Sequence, residues 1–120
     1  MSTGKCEWFI PDAYYPAMDN GAHYVSHEAV CVLNTGDENA VINFTLYFED
    51  RPPVTGFSAT CPAARTHHIR MDQIQSEDGS SIPRGVSYAI LAKSNVPVII
   101  QYSRCDTTQP QMALMSLIAY

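Results

Sequence analysis

Three adjacent polar residues, Ser26-His27-Glu28, open the most informative stretch of this chain. A hydroxyl, an imidazole and a carboxylate are the parts of a nucleophilic relay, which works only when all three are in hydrogen-bond contact. The spacing argues against a relay. The residues that follow read as a strand, and successive strand side chains point to opposite faces. His27 therefore turns away from Ser26 and Glu28, and no nucleophile-elbow motif occurs elsewhere. The expectation is a protein without catalytic residues and without enzymatic activity.

Metal binding is the next chemistry to weigh, through His23, His27, His67 and His68. Neither His-x-His on a strand nor His-x-x-x-His on a helix occurs, and His67 and His68 diverge. A zinc centre would have to be assembled from distant strands with Glu28 or a cysteine. No metal and no cofactor is expected.

The segment Arg65-Thr66-His67-His68-Ile69-Arg70 carries more information. Thr66, His68 and Arg70 share one strand face, and Arg65, His67 and Ile69 the other. Further on stand Gln101, Tyr102, Ser103, Arg104 and Asp106. Such groups suit hydrogen bonding to the hydroxyls or carboxylates of a small ligand. Fixed guanidinium forks at Arg70 and Arg104 would favour an acidic or phosphorylated sugar. A structural ion-pair network, with Arg70 or Arg104 against Glu28 or Asp106, fits the same residues equally well. Trp8, Phe9, Tyr14 and Tyr15 could form a sugar-stacking platform, but a lone tryptophan is more simply a core residue. Asn43-Phe44-Thr45 matches a glycosylation acceptor yet falls inside a strand.

The elements that must position these groups are β-strands. Ile42, Phe44, Leu46 and Phe48 alternate with Val41, Asn43, Thr45 and Tyr47, a period of two. Asn34-Thr35-Gly36-Asp37-Glu38-Asn39 supplies turn chemistry, so 26–33 and 40–48 are expected to form a hairpin. A second hairpin is expected from 56–61 and 65–71 across Pro62-Ala63-Ala64. A third joins 85–92 and 96–104 around Lys93-Ser94-Asn95, with Pro97 at a strand start. Residues 5–10 read as a short strand, 11–21 as a loop, and 72–85 as polar and turn-rich. The apolar run 112–120 could be a helix by propensity, but it is nine residues long without polar positions at helical spacing, which favours a strand buried on both faces. The fold class is all-β: a single antiparallel β-sandwich, jelly-roll-like, occupying residues 1–120 as one domain.

With 46% hydrophobic and 16% charged residues, the chain is neither disordered nor a coiled coil. A net charge of −5 argues against broad nucleic-acid binding. Five of the seven basic residues, Arg65, Arg70, Arg84, Lys93 and Arg104, cluster in the second half, where two or three could hold a small anion. Cys6, Cys31, Cys61 and Cys105 contain no C-x-x-C pair and read as reduced thiols. No apolar run reaches the roughly 20 residues of a bilayer span. The start lacks a signal-peptide core, and the cytoplasm is the expected location.

Five collinear motifs carry a resemblance. These are S-H-E-x-V-C-x-L-N-x-G-D-E at 26–38, A-x-R-T-x-H-x-R at 63–70, S-N-V-P-V at 94–98, Q-x-x-R-x-D at 101–106 and S-x-I-A-Y at 116–120. Together they resemble the small sensory rhodopsin transducer family over nearly the whole chain. Tyr102 stands where the resemblance implies a histidine, and Cys105 where it implies an aliphatic residue. The resemblance implies a compact antiparallel sandwich assembled as a homotetramer, in keeping with the apolar surplus on 29–33 and 112–120. It also implies a binding module for a small molecule, such as a sugar or acidic metabolite, with signalling as its task. The matched polar set is His27, Glu28, Asn34, Arg65, His68, Arg70, Gln101, Arg104 and Asp106. The alternative implication is a cytoplasmic transducer whose partner is a membrane-bound microbial sensory rhodopsin.

Overall fold

The computed structural model describes residues 3–14, 27–106 and 113–120. Seven strands make up the described fold: β1 (Lys5–Ala13), β2 (His27–Asn34), β3 (Ala40–Phe48), β4 (Val54–Cys61), β5 (Arg65–Arg70), β6 (Tyr88–Asp106) and β7 (Ala113–Ile118). All pairings between strands are antiparallel. The described residues contain no helix, so none is long and apolar enough to cross a membrane.

The organising element is β6, a 19-residue strand that runs through the whole fold. Its first part pairs with β3 on one edge and β1 on the other, and its second part with β2 and β7. β4 extends the sheet beyond β3, and β5 extends it beyond β2. The result is a curled antiparallel sheet whose two halves share one hydrophobic core. Ile42, Phe44 and Leu46 of β3 and Ile90 and Ala92 of β6 contribute from one half. Val30, Val32, Ile69, Ile100 and Tyr102 contribute from the other.

This topology corrects all three expected hairpins. β2 and β3 do not pair with each other. They follow one another along the same edge of β6, with His27–Leu33 opposite Cys105–Ile99 and Ile42–Phe48 opposite Ser94–Tyr88. β4 and β5 likewise run in sequence along the outer edges of β3 and β2. The turn residues at 35–39 and 62–64 therefore carry the chain from one half of the sheet to the other. The two connections touch: Ala64 N–H donates to Gly36 O at 3.1 Å and Ala63 N–H to Asn39 Oδ1 at 3.0 Å. Lys93-Ser94-Asn95 does not reverse the chain at all. It marks a break in the β1 ladder, where Lys5 opposes Val98 but Glu7 opposes Lys93. Its polar side chains satisfy backbone donors there, Ser94 Oγ taking Val96 N–H at 3.3 Å and Asn95 Oδ1 taking Val41 N–H at 2.7 Å. A local turn signal is thus a bulge in a continuous strand.

β1 also runs further than expected. It passes through Pro11 to Ala13 with a second register shift, and proline is tolerated at such a bulge. The remainder of the expected 11–21 loop, beyond Tyr14, lies outside the described residues. Trp8 is a core residue, its indole N–H donating to Val98 O at 2.9 Å and Lys5 O at 3.0 Å. The 72–85 stretch is turn-rich as expected, and Met71 and Ile82 anchor its two ends in the core.

β7 is a strand, as its composition suggests, but it is not buried on both faces. Leu117 packs against the core and Ala119 is buried, while Ile118 is 60% and Tyr120 72% exposed. A strand on the edge of a curled sheet has only one inner face to cover.

Candidate functional site

The strand register sorts the nine matched polar residues by location. On β2, Glu28 points inward and is fully buried, while His27 belongs to the opposite face and is half-buried. Alternation separates the two as the sequence requires, and Ser26 and His23 lie outside the described residues. On β6, Tyr102 and Arg104 share the inner face with Glu28; Gln101 and Ser103 face outward.

The inner group forms a hydrogen-bonded network around the Glu28 carboxyl. Tyr88 and Tyr102 both donate their hydroxyls to the Glu28 carboxylate, Tyr88 to Oε1 and Tyr102 to Oε2. The backbone N–H of Tyr14 donates to Glu28 Oε2 at 3.1 Å and lies 3.3 Å from the Tyr102 hydroxyl. Arg104 Nε donates to that same hydroxyl at 3.3 Å. Its Nη2 stands 3.5 Å from Asp12 Oδ1, an ion-pair separation without hydrogen-bond geometry. The guanidinium also lies 5.9 Å from the Tyr14 ring centre and 5.8 Å from that of Tyr102.

The electrostatics follow from burial. Desolvation lifts the Glu28 carboxyl above the ordinary glutamate value, and its four partners Tyr102, Tyr88, Tyr14 N–H and Arg104 only partly oppose it. The Tyr102 hydroxyl is raised by burial and by the Glu28 charge beside it. Burial works against the charge on Arg104, but Tyr102, Asp12 and Glu28 outweigh it and keep the guanidinium pKa above its usual value. This is a satisfied carboxyl cluster that ties β2, β6 and the end of β1 together.

The outer group differs in character. His68, Cys31, Gln101 and Ile118 stand in one row across β5, β2, β6 and β7, with Leu33 and Ile99 beside them. With Val32 and Thr66, these six residues line a shallow depression of about 160 Å³. His68 and Gln101 therefore do share a face, but Arg104 lies on the other side of the same sheet. A single rim carrying His68, Arg70, Gln101 and Arg104 near His27 or Glu28, one reading of the matched polar set, is not what the strands form: His68 and Gln101 share the outer face with His27, and Arg104 the inner face with Glu28. The reason is parity: positions 101 and 104 are three apart on one strand and must face oppositely.

The remaining members have other tasks. Arg70 grips Asp72 with two bonds, Nε to Oδ1 at 2.7 Å and Nη2 to Oδ2 at 2.8 Å. That is the ion-pair reading, with a partner other than Glu28 or Asp106. Asn34 is fully buried and holds the two connections together. Its Nδ2 donates to Glu38 O at 2.8 Å, Cys61 O at 3.1 Å and Pro62 O at 3.3 Å, and its Oδ1 accepts from Gly36 N–H at 3.0 Å. Arg65 is exposed and donates to Ala64 O at 2.9 Å. The side chain of Asp106 lies outside the described residues. His67 Nδ1 is 2.9 Å from Thr60 O, apart from His68. No group of three or more His, Cys, Asp or Glu side chains gathers at metal-binding distance among the described residues.

Tyr88 and Asp12 belong to the inner network and were not singled out by the sequence. A usable signal existed: Tyr88 and Tyr102 sit at core-parity positions of an aliphatic strand, where a phenol needs a buried partner.

The family model of the Anabaena sensory rhodopsin transducer matches residues 3–120. A solved structure described as the crystal structure of Thermotoga maritima 1070 is 40% identical, with a TM-score of 0.83 over 98% of this chain and 95% of that one. The structure of the Anabaena sensory rhodopsin transducer is 38% identical, with a TM-score of 0.75 over 85% of this chain and 89% of that one. No curated protein matches the chain.

Proposed function

The chain belongs to the Anabaena sensory rhodopsin transducer family, and on that premise we propose that it is a non-enzymatic signal transducer. Its partner in this reading is a retinal-binding membrane receptor, engaged from the cytoplasmic side. The observation that carries the proposal is the match across residues 3–120, supported by the 38% identity to a protein whose description is that of a transducer. The Glu28 cluster, which ties β2, β6 and the end of β1 together, agrees with a role that needs a rigid body.

Assembly is part of the proposal. The exposed Leu33, Ile118 and Tyr120 lie on the outer face of the β5-β2-β6-β7 half, and a homotetramer would cover them. A second reading, a sugar or acidic metabolite held by His68 and Gln101, draws on the depression between them. It lacks the arginine that would select an anion, since Arg70 is engaged by Asp72 and Arg104 lies on the inner face.

The test is binding of the chain to nanodiscs that carry the retinal receptor of its own cell, with empty nanodiscs as the control. Saturable binding to the loaded discs alone is expected. Equal retention on both, or on neither, contradicts the transducer reading. A thermal shift with a sugar acid that His68→Ala abolishes would favour the second reading instead.

A further inference from the structure

We propose that the cleft where β1 and β3 end and β6 begins binds the Lys and Arg side chains of an extended basic segment of a partner protein. The assignment of that segment to the cytoplasmic side of a membrane receptor rests on the transducer reading; the binding chemistry does not.

The cleft has a volume of about 460 Å³ and is walled by Asp12, Tyr47, Phe48, Glu49 and Tyr88, with Pro11, Ser87 and Ala89 between them. Two carboxylates and three aromatic rings line it, and no basic residue is among the described residues that do. Asp12 is mostly exposed, and the ion pair it makes with Arg104 is loose at 3.5 Å. Glu49 and Tyr47 are exposed. A second depression of about 340 Å³ shares Glu49 and Ser87 with the first and adds Asp50 and Arg51. Its single guanidinium is already paired with Asp50 at 2.9 Å.

The chemistry selects a cation. An anion would be repelled by Asp12 and Glu49, and a neutral ligand would cover both carboxylates without compensating them. Aromatic faces add their own attraction for positive charge. The chain supplies an example at this very place, because Arg51 Cζ lies 4.8 Å from the centre of the Phe48 ring. Phe48 in turn stacks on Tyr88, with ring centres 6.0 Å apart.

The shape selects a segment over a single amine. Two adjoining depressions run from Asp12 past Glu49 to Asp50, so successive basic side chains can be seated along them. Cytoplasmic loops of membrane proteins carry an excess of Lys and Arg. The net charge of −5 would steer such a loop toward this chain.

The experiment uses a fluorescent dodecapeptide of alternating arginine and serine, a version with glutamine for arginine, and free arginine and spermidine as competitors. Binding is read by anisotropy at low ionic strength. The arginine peptide is expected to bind and the glutamine peptide not. Glu49→Gln and Tyr47→Ala should each raise Kd about three- to fivefold. Asp37→Asn, at the opposite end of β3, should leave it unchanged, and all three variants should melt as wild type does. Equal losses for Glu49→Gln and Asp37→Asn would mean diffuse attraction without a site and would overturn the proposal. So would absence of peptide binding, or spermidine and free arginine competing as well as unlabelled peptide. The two readings fail separately. Peptide binding at the cleft without receptor binding removes the transducer reading and leaves the site. Receptor binding that Glu49→Gln and Tyr47→Ala do not alter removes the site and leaves the transducer.

Discussion

Replacing Glu28 by alanine removes the acceptor that two buried tyrosines share. Tyr88 and Tyr102 both donate to this carboxylate, and Tyr14 N–H joins them at 3.1 Å. Each buried hydroxyl left without an acceptor costs about 1–3 kcal/mol, so Glu28→Ala should cost about 2–6 kcal/mol. That is a large part of the roughly 5–15 kcal/mol by which domains of this kind are stable. Relief of the desolvation of Glu28 itself offsets some of the loss. Glu28→Gln keeps an amide oxygen for Tyr102 and Tyr14 and should cost less, about 1–2 kcal/mol. Urea unfolding of the two variants and wild type gives both numbers from one series. The pH dependence has a definite sign. The folded carboxyl titrates above its ordinary range, so the folded chain binds more protons than the unfolded one between the two values. The stability tied to this group is therefore complete below the ordinary glutamate range and is lost as pH rises through the raised value. Wild type should lose stability relative to Glu28→Gln over that interval. A Glu28→Ala cost below about 0.5 kcal/mol, the size of an ordinary surface substitution, would refute the reasoning. So would a wild-type advantage over Glu28→Gln that grows as pH rises.

Asn34→Ala leaves three carbonyls and the Gly36 N–H without their shared partner, and should lower stability by about 2–4 kcal/mol in urea unfolding. At Gly4, with φ of 105°, an added Cβ would fall 2.1 Å from Val98 O. Gly4→Ala should therefore loosen β1 from β6, read as faster amide exchange across Glu7–Ile10, while β5 is unaffected. Ile118→Asp should shift the chain to a smaller species in light scattering with little change in melting temperature, because Ile118 points outward. Leu117→Asp should instead unfold the chain, because Leu117 packs against the core.

The all-β class was legible because alternation in β3 has a period of two and its inner positions, Ile42, Phe44 and Leu46, are all buried. Pairing was not legible. Turn chemistry at 34–39 and 62–64 reports a local change of direction, and the same residues serve a hairpin or a crossing between two halves of a sheet. Only the long-range partner decides, and here it is a single strand of 19 residues. Lys93-Ser94-Asn95 reads as a turn for the same reason, since its polar atoms serve a ladder break as well as they would a turn. Parity separated His27 from Glu28 in advance. The same rule, applied to Gln101 and Arg104, would have split the candidate site into the two faces the strand gives them. Tyr88 escaped notice because its partner, Glu28, lies 60 residues away.

The affinity of the chain for the retinal receptor that the transducer reading assigns to it, measured in the dark and under illumination, tests that reading most directly. A transducer must bind the two receptor states unequally, and coupling of about 1–3 kcal/mol separates the two dissociation constants by about 5- to 150-fold. A difference of at least about fivefold is expected, lost when the receptor is bleached. Equal affinity in both states, or no affinity in either, would contradict it.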